Sequence, residues 1–368
     1  MNGHMKKPYY IILFVTLLSI GKSHAWSRHD LITLHAFEKV LWLEAYHYIT
    51  VTPFESYLQK AYGKNFKTVD FLRHHTLNET TKIGFEPGKQ TSAKEILSHY
   101  SDEPDWGMDQ NLDIHPDQKF MGGTKGPTSQ AFRHLYWKAW SPAAPLRTFH
   151  FPPKAMGQAL KRAQLYYDEA QKAFEGGEPY WGFRFLAWSL HYIQDLGQPF
   201  HSSQLLTPKY VSWKDILNFK KLVSRTTQII SNYHFLYEYY VAYRLEAEKN
   251  AKDKSMIGAL QGKDFWESSS AYLLAKHSAD FSNRFSYEIG ETVYQFFGEK
   301  FLDLKIDVPN SPKDHYPMNA FDTGNRLTPK EKDAFLRKTS KNLEKTAYYS
   351  RSLLELAKTE FIPKLAKD

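Results

Sequence analysis

The eleven residues from His191 to His201 carry three side chains that can bind metal ions. His191 and Asp195 stand four residues apart, a spacing that places both side chains on the same face of a helix. His201 follows Gly197 and Pro199, two residues that bend or end a helix. Neutral imidazole and carboxylate are ordinary zinc ligands, so the stretch predicts a metal site. The alternative is a helix whose polar face carries these residues without a ligand.

A second pair with the same spacing lies later in the chain. His234 and Glu238 again place an imidazole and a carboxylate on one face of a helix. Alone, each pair is also compatible with a solvated helix surface. Two such pairs on separate helices can meet in the core of a bundle, as they do in multinuclear carboxylate–histidine sites. The chain has no cysteine, so any metal site must use His, Asp, Glu and main-chain groups.

The N-terminus has the features of a secretory signal peptide. Two lysines precede an apolar run over residues 9–20, and Ser23 and Ala25 supply the small side chains of a cleavage site. The run is too short to span a bilayer comfortably, although an uncleaved anchor is the alternative. We therefore predict a signal peptide over residues 1–25 and a secreted or periplasmic protein. Cleavage after Ala25 makes Trp26 the first residue of the mature chain.

The composition is that of a basic globular protein rich in aromatic residues. The net charge is +8, the isoelectric point is about 9.1 and 16% of the residues are aromatic. A basic surface favours anionic partners such as phospholipid headgroups or nucleic acid. No internal repeat and no second apolar run long enough to cross a membrane follow the signal peptide, so no transmembrane segment is expected after processing.

The apolar residues of the chain recur mostly at intervals of three and four, which indicates helices. The last predicted helix begins with Thr328, Pro329 and Glu331, an arrangement that resembles a capping box. The fold class predicted from this pattern is all-α, a multi-helix bundle with an additional C-terminal helical segment. The predicted helices span residues 30–48, 152–174, 180–196, 213–249, 267–301 and 329–357.

Two segments interrupt the helical pattern. Residues 101–141 are dense in Pro, Gly and Asp without a dominant period, which is typical of a long functional loop. Residues 308–326 form a second Pro-, Asn- and Asp-rich connection. We expect a catalytic domain over residues 26–305. Residues 306–368 are expected to form a connecting loop and a C-terminal helix packed on that same domain.

Taken together, these motifs resemble the trinuclear zinc phosphodiesterases, which comprise the bacterial zinc-dependent phospholipases C of the lecithinase and alpha-toxin type and the single-strand-specific zinc nucleases. The motif H-x3-D-x5-H from His191 to His201 carries most of the resemblance. Mature chains of this superfamily begin with Trp, as this chain does after the predicted cleavage. The further matches, in the same order as in the superfamily, are His29 in the first helix, Asp105 beside Trp106, His134 between Phe132 and Tyr136, and the closing pair His234 and Glu238.

The resemblance implies a chain that holds three zinc ions, with Asp195 shared between the first two. The implied ligands are Asp105, His134, His191 and Asp195 for the first ion, the amine and carbonyl of Trp26 with His29 and Asp195 for the second, and His201, His234 and Glu238 for the third. A free α-amine has a reference pKa near 8, so a metal can displace its proton at low cost.

The implied reaction is hydrolysis of a phosphodiester by a zinc-bound hydroxide, with Asp105 orienting or deprotonating the attacking water. The closing motif ends in Glu238, as in the phospholipases, whereas the nucleases generally end in Asp. Trp106 and Phe132 are candidates for an aromatic cage around a choline ammonium, and Arg133 is a candidate contact for a phosphate oxygen. A secreted phospholipase C that meets phospholipid headgroups at a membrane surface is therefore the first expectation, and no protein partner is implied.

Two other functions stay open. A single-strand-specific zinc endonuclease would use aromatic side chains to stack the bases of single-stranded nucleic acid. A secreted helical protein could also bind zinc without catalysis. Only Ser27 and Arg28 separate Trp26 from His29, where the phospholipases have an acidic residue near the choline site, so headgroup preference is open as well. Alternative ligands in the long loop, in place of Asp105 or His134, are Asp102, Asp109 and His115.

Overall fold

The computed structural model describes residues 27–63, 84–108, 110–121, 123–138, 155–203, 219–252, 254–312, 315–324 and 327–362. The predicted signal peptide, Trp26 and Asp109 lie outside these residues. Within them, the all-α prediction is confirmed. Only β1 (Ile49–Thr50) and β2 (Gln90–Thr91) are strands in this part of the chain, and they pair antiparallel with Ile49 opposite Thr91.

The helices differ widely in length, and the long ones form the body of the fold. The α-helices in the described residues are α1 (His29–Ala36), α2 (Phe54–Tyr62), α3 (Ala93–Tyr100), α4 (Ala131–His134), α5 (Ala159–Glu175), α6 (Pro179–Gly197), α7 (Pro199–Ser202), α8 (Phe219–Glu248), α9 (Ser255–Leu260), α10 (Ala271–Phe297), α11 (Asn319–Gly324) and α12 (Pro329–Glu360). Short 3-10 helices span Leu41–Tyr46, Glu103–Trp106, Pro116–Phe120, Pro127–Gln130 and Glu299–Leu302.

Helix α6 is the centre of the bundle. Every residue from Tyr180 to Gly197 is buried, because aromatic and aliphatic side chains cover all sides of the helix. Helices α3, α5, α10 and α12 pack around it. Two glycines permit close approach, since a Cβ at Gly182 would overlap the ring of Phe174 and a Cβ at Gly197 would overlap the side chain of Thr346. Polar side chains on α6 are therefore held away from water.

The predicted continuous helix over residues 30–48 is wrong. Helix α1 ends at Ala36, and a 3-10 helix follows after a turn. The side chains buried in this region are Phe37, Val40 and Leu43, which recur every three residues. An interval of three residues is the period of a 3-10 helix, so the spacing that suggested an α-helix here comes from the more tightly wound 3-10 conformation.

The other predicted helices are found with shifted ends. Helices α6 and α12 confirm the predictions over 180–196 and 329–357, and Thr328 and Glu331 form the expected capping box. Helix α5 begins at Ala159, later than predicted, because residues 155–158 are not helical. Helix α10 ends at Phe297, where the left-handed backbone of the following glycine separates it from the next 3-10 turn.

The C-terminal helix is part of the same packed body. Helix α12 contacts α6, α9 and α10, and its buried residues belong to the main apolar core. Its residues Thr346 and Ser350 lie against the end of α6 that carries His191 and Asp195. Among the described residues, no helix combines the length and the apolar character needed to cross a membrane.

The contact between Gly197 and Thr346 predicts a large effect of one methyl group. Gly197→Ala should lower the free energy of unfolding by about 1–3 kcal/mol, because α12 must move away from α6. The matched control is Gly258→Ala in α9, where an added Cβ meets no atom within 4 Å. Urea unfolding of both variants measures the difference, and equal stabilities would contradict this account of the contact.

Candidate metal centre

Helix α6 and five other elements bring eight candidate ligands into one buried cluster. The side chains come from α1, the 3-10 helix over 103–106, α4, α6, α7 and α8. Their nitrogen and oxygen atoms fall into three groups, and within each group the atoms lie within 4.8 Å of one another. The groups are His29, Asp105 and His191; His134, His191 and Asp195; and His201, His234 and Glu238.

Asp195 lies between His29 on one side and His134 and His191 on the other. Its Oδ2 atom is 3.0 Å from His134 Nδ1 and 3.3 Å from His191 Nε2. Its Oδ1 atom is 3.4 Å from His29 Nε2. The two oxygens of one carboxylate thus face histidines from different helices, which is the arrangement a bridging carboxylate needs.

Asp105 lies near histidines of both of the first two groups. Its Oδ1 atom is 3.5 Å from His134 Nδ1 and 3.8 Å from His191 Nε2. Two ligand atoms bound to a tetrahedral zinc at about 2.1 Å lie about 3.4 Å apart, so these separations suit ligands of a common ion. The turn that carries Asp105 is held by a buried ion pair between Glu103 and Arg184 of α6.

The third group forms across the bend after α6. His234 Nε2 lies 2.7 Å from Glu238 Oε1 and 3.1 Å from His201 Nε2. Gln198 adopts an extended backbone conformation between α6 and α7, and this turns His201 towards α8. The Gln198 side chain also donates a hydrogen bond to Glu238 Oε1 at 3.0 Å. The bend predicted from Gly197 and Pro199 therefore directs His201 to a different group from that of His191.

Three imidazoles are oriented by oxygen acceptors outside the cluster. The Nδ1 atoms of His29, His191 and His201 lie 2.8 Å from Gln194 Oε1, 2.7 Å from the Ser101 carbonyl and 2.9 Å from the His134 carbonyl, respectively. Since these oxygens only accept, each Nδ1 donates a proton, and Nε2 keeps its lone pair for the interior of the cluster. Metal-binding histidines are held by this kind of second hydrogen bond.

Burial sets the charges of the cluster. It lowers the pKa of His191 and of His234 to about 3, so both rings are neutral near pH 7. It also raises the pKa of Glu238 to about 7. Burial alone would raise the pKa of Asp195 too, but His191 and His134 outweigh it and hold that pKa well below its usual value. Neutral imidazoles and an ionised carboxylate are the forms that bind metals.

The buried polar atoms of the cluster test whether a cation fits. His29 Nε2, Asp195 Oδ1 and Glu238 Oε2 are buried without a hydrogen-bond partner among the described residues. Each such atom costs about 1–3 kcal/mol unless something replaces its hydration. A divalent cation between His29 and Asp195 and another beside Glu238 would do so, and nitrogen and oxygen donors without sulfur suit zinc. The residues present therefore fit the implied ions.

Trp106 and Phe132 do not share a cage, contrary to the expectation. Trp106 lines a groove of about 340 Å³, where its ring centre is 5.4 Å from that of His99. Phe132 belongs to a separate small core cluster and stacks on His115 at 5.3 Å. The reason is that Phe132 lies on α4 within the small core cluster, while the 3-10 helix over Glu103–Trp106 places Trp106 in the groove with Phe85.

The remaining candidates lie outside the cluster. Arg133 is buried and donates hydrogen bonds to the carbonyls of Ser129 and Leu112, and its contact with phosphate stays a prediction. Asp102 accepts a hydrogen bond from the Asp30 amide and is not in any of the three groups. His115 accepts one from a neighbouring amide and is not in them either.

The sequence reasoning missed two residues that hold the ligands. Gln194 and Ser101 both orient histidines, and neither was singled out from the sequence. Gln194 carried a usable signal, because it is an amide inside a helix that is apolar on all sides. Ser101 acts through its carbonyl, which no side-chain pattern reveals.

The chain has distant similarity to solved structures. No protein-family model and no curated protein matches the chain. Similar solved structures include the alpha toxin of Clostridium absonum, with a TM-score of 0.37 and 12% identity over 93% of this chain and 67% of the toxin. Another is the alpha-toxin of Clostridium perfringens from an avian strain, with a TM-score of 0.34 and 13% identity over 94% of this chain and 66% of the toxin. The chain thus spans about two thirds of these toxins.

The raised pKa of Glu238 predicts how the stability of zinc-free protein depends on pH. A carboxyl whose pKa is 4.5 unfolded and about 7 folded stabilises the fold below pH 4.5, and this contribution is lost as the pH rises through 7. Between pH 5 and pH 8, chelator-treated wild type should lose about 2 kcal/mol of unfolding free energy relative to Glu238→Gln. Urea unfolding at both pH values measures this, and a pH-independent difference would refute it.

Proposed function

We propose that the protein is a zinc-dependent phosphodiesterase, specifically a phospholipase C that cleaves the glycerol–phosphate ester of phosphatidylcholine-like lipids. The observation that carries the proposal is the set of three adjoining buried groups of candidate ligands. The first two groups share His191, and His201 of the third has its Nδ1 atom 4.0 Å from Asp195 Oδ1. Zinc ions in such groups would activate water for attack and neutralise charge on a phosphate ester. The donor atoms and their spacing support three ions per chain, with Trp26 as the remaining ligand of the ion beside His29.

The residues of the chain have distinct roles in this proposal. His134, His191 and Asp195 are fully buried and would serve as ligands only. Asp105 retains 8% exposure and is next in sequence to Trp106, which faces the groove. Its carboxylate is therefore the group placed to accept a proton from an attacking water that enters from that side.

The groove supports a cationic headgroup as the part of the substrate that is bound beside the centre. Asp30 and Trp106 line it and directly follow the ligands His29 and Asp105, so it opens next to the cluster. Aromatic faces attract ammonium groups. Burial and the neighbouring Asp30 raise the pKa of Asp102 to about 7, and a bound cation would favour its ionised form. Asp30, Glu95 and Asp102 line the groove with one lysine, Lys94, and this acidic balance suits a single phosphate joined to a cationic headgroup better than the successive phosphates of a nucleic-acid strand.

The location is part of the proposal. We infer a secreted or periplasmic enzyme whose signal peptide, residues 1–25, is removed. Trp26 precedes His29 by three residues, so its freed amine would start close to the ligand of the second ion. The substrate would be met at a membrane surface.

The direct test is an assay of the mature protein on phosphatidylcholine vesicles and on single-stranded DNA. We expect release of phosphocholine, its loss after treatment with a chelator, and its return when zinc is added. His35→Ala serves as a control for removal of a histidine, because His35 lies on α1 outside the three groups. Cleavage of DNA without cleavage of lipid would establish the nuclease instead. Purified, untreated protein that contains no zinc would refute a zinc enzyme.

A substitution in the groove tests whether the groove binds a cationic headgroup. Trp106→Leu should raise KM for phosphatidylcholine about tenfold, the value of a cation–π contact of about 1–2 kcal/mol, and leave KM for phosphatidylglycerol nearly unchanged. Phe132→Leu is the matched control, since Phe132 lies in the separate core cluster. Equal effects of Trp106→Leu on the two lipids would contradict a cation site.

A further inference from the structure

His29 depends on a buried amide for its orientation. The Gln194 side chain lies between His29 and two hydroxyl groups, with its Oε1 atom 2.8 Å from His29 Nδ1. Its Nε2 atom is 2.9 Å from Thr33 Oγ1 and 3.3 Å from Ser350 Oγ. All four side chains are fully buried. An amide in this position can point its oxygen at His29 only if its nitrogen has acceptors on the other side.

Helix α12 settles which way the amide points. The Ser350 hydroxyl is 2.8 Å from the carbonyl of Thr346, one turn earlier on the same helix. A carbonyl only accepts, so the hydroxyl donates its proton there and can only accept from Gln194. The Gln194 nitrogen therefore faces Ser350, its oxygen faces His29, and His29 Nδ1 carries a proton. This leaves Nε2, the atom 3.4 Å from Asp195 Oδ1, as the nitrogen that can bind a metal.

We propose that the C-terminal helix is an outer support of the metal centre and that Ser350 and Gln194 are positioning residues for His29. The chain of hydrogen bonds runs from the Thr346 carbonyl through Ser350 and Gln194 to the imidazole. This inference rests on the proposed zinc-binding function. It assigns a role to a helix that contains none of the candidate ligands.

The test compares zinc binding by full-length mature variants. Gln194→Leu removes the acceptor for His29. Ser350→Ala removes the hydroxyl that fixes the direction of the amide and leaves Thr33 Oγ1 as its other partner. Gln194→Glu keeps an oxygen on His29. The control is Ser352→Ala on the same helix, because Ser352 is equally buried, donates to the Tyr348 carbonyl and accepts from the Trp266 amide, away from the centre.

Zinc content after dialysis and competition with a chromogenic chelator are the measurements. We expect Gln194→Leu and Ser350→Ala to weaken one of the bound ions about 10- to 100-fold, the usual effect of losing an outer hydrogen bond to a ligand. Ser352→Ala should retain wild-type zinc content, and Gln194→Glu, which keeps an acceptor for His29 but loses the donor to Ser350, should lose less zinc than Gln194→Leu. The absorption spectrum of cobalt-substituted protein should change in the first two variants and not in the control, since it reports the geometry of the ligands.

The outcomes separate this inference from the proposed function. Wild-type affinity for every ion in Ser350→Ala and Gln194→Leu would overturn the positioning role while wild type still binds zinc. An equal loss in Ser352→Ala would overturn it as well, because the effect would then come from general loosening of α12. A wild-type protein that binds no zinc would refute the proposed function and this inference with it.

Discussion

The structure depends on an ionised carboxylate placed in the middle of a fully buried helix. Removing Asp195 from water without compensation would cost more than a small domain can afford. His134 Nδ1, 3.0 Å from Asp195 Oδ2, can donate a hydrogen bond to this carboxylate. His29 and His191 turn unprotonated Nε2 atoms towards its oxygens, so a cation held between them would supply the rest of the compensation. Packing around α6 is therefore tied to the position of one side chain, and the helices that contribute ligands cannot shift independently of it.

The residues that hold the histidines in place are themselves held by buried contacts. The oxygens that hold the imidazoles belong to elements far away in sequence, including the Ser101 carbonyl at the end of α3. The buried ion pair between Glu103 and Arg184 holds the 3-10 helix that follows Ser101. Glu103 also accepts a hydrogen bond from the indole N–H of Trp188. A buried pair of this kind specifies one arrangement, because an unpaired charge in its place would be strongly destabilising.

Much of the centre could be predicted from sequence because its ligands obey helical spacing. On α6 and on α8, the histidine and the carboxylate of each pair stand four residues apart. This spacing does not depend on where the helices are predicted to begin and end. The path of the long loop could not be predicted in the same way. Whether Phe132 faces the groove or the small core depends on contacts such as its stack on His115, which no local period encodes. The 3-10 turn after α1 was missed because neither Gly nor Pro marks the end of that helix.

The position of α12 has a consequence for how the protein is made. Ser350 meets Gln194 across 156 residues of chain, and Gln194 meets His29 across 165. Contacts between such distant segments form late, because closing long loops costs entropy before any contact repays it. During synthesis α12 also leaves the ribosome after all the helices that carry candidate ligands. The surroundings of His29 are thus completed only after every helix that carries a candidate ligand has been made, and a chain that stops before α12 keeps that end of the centre open.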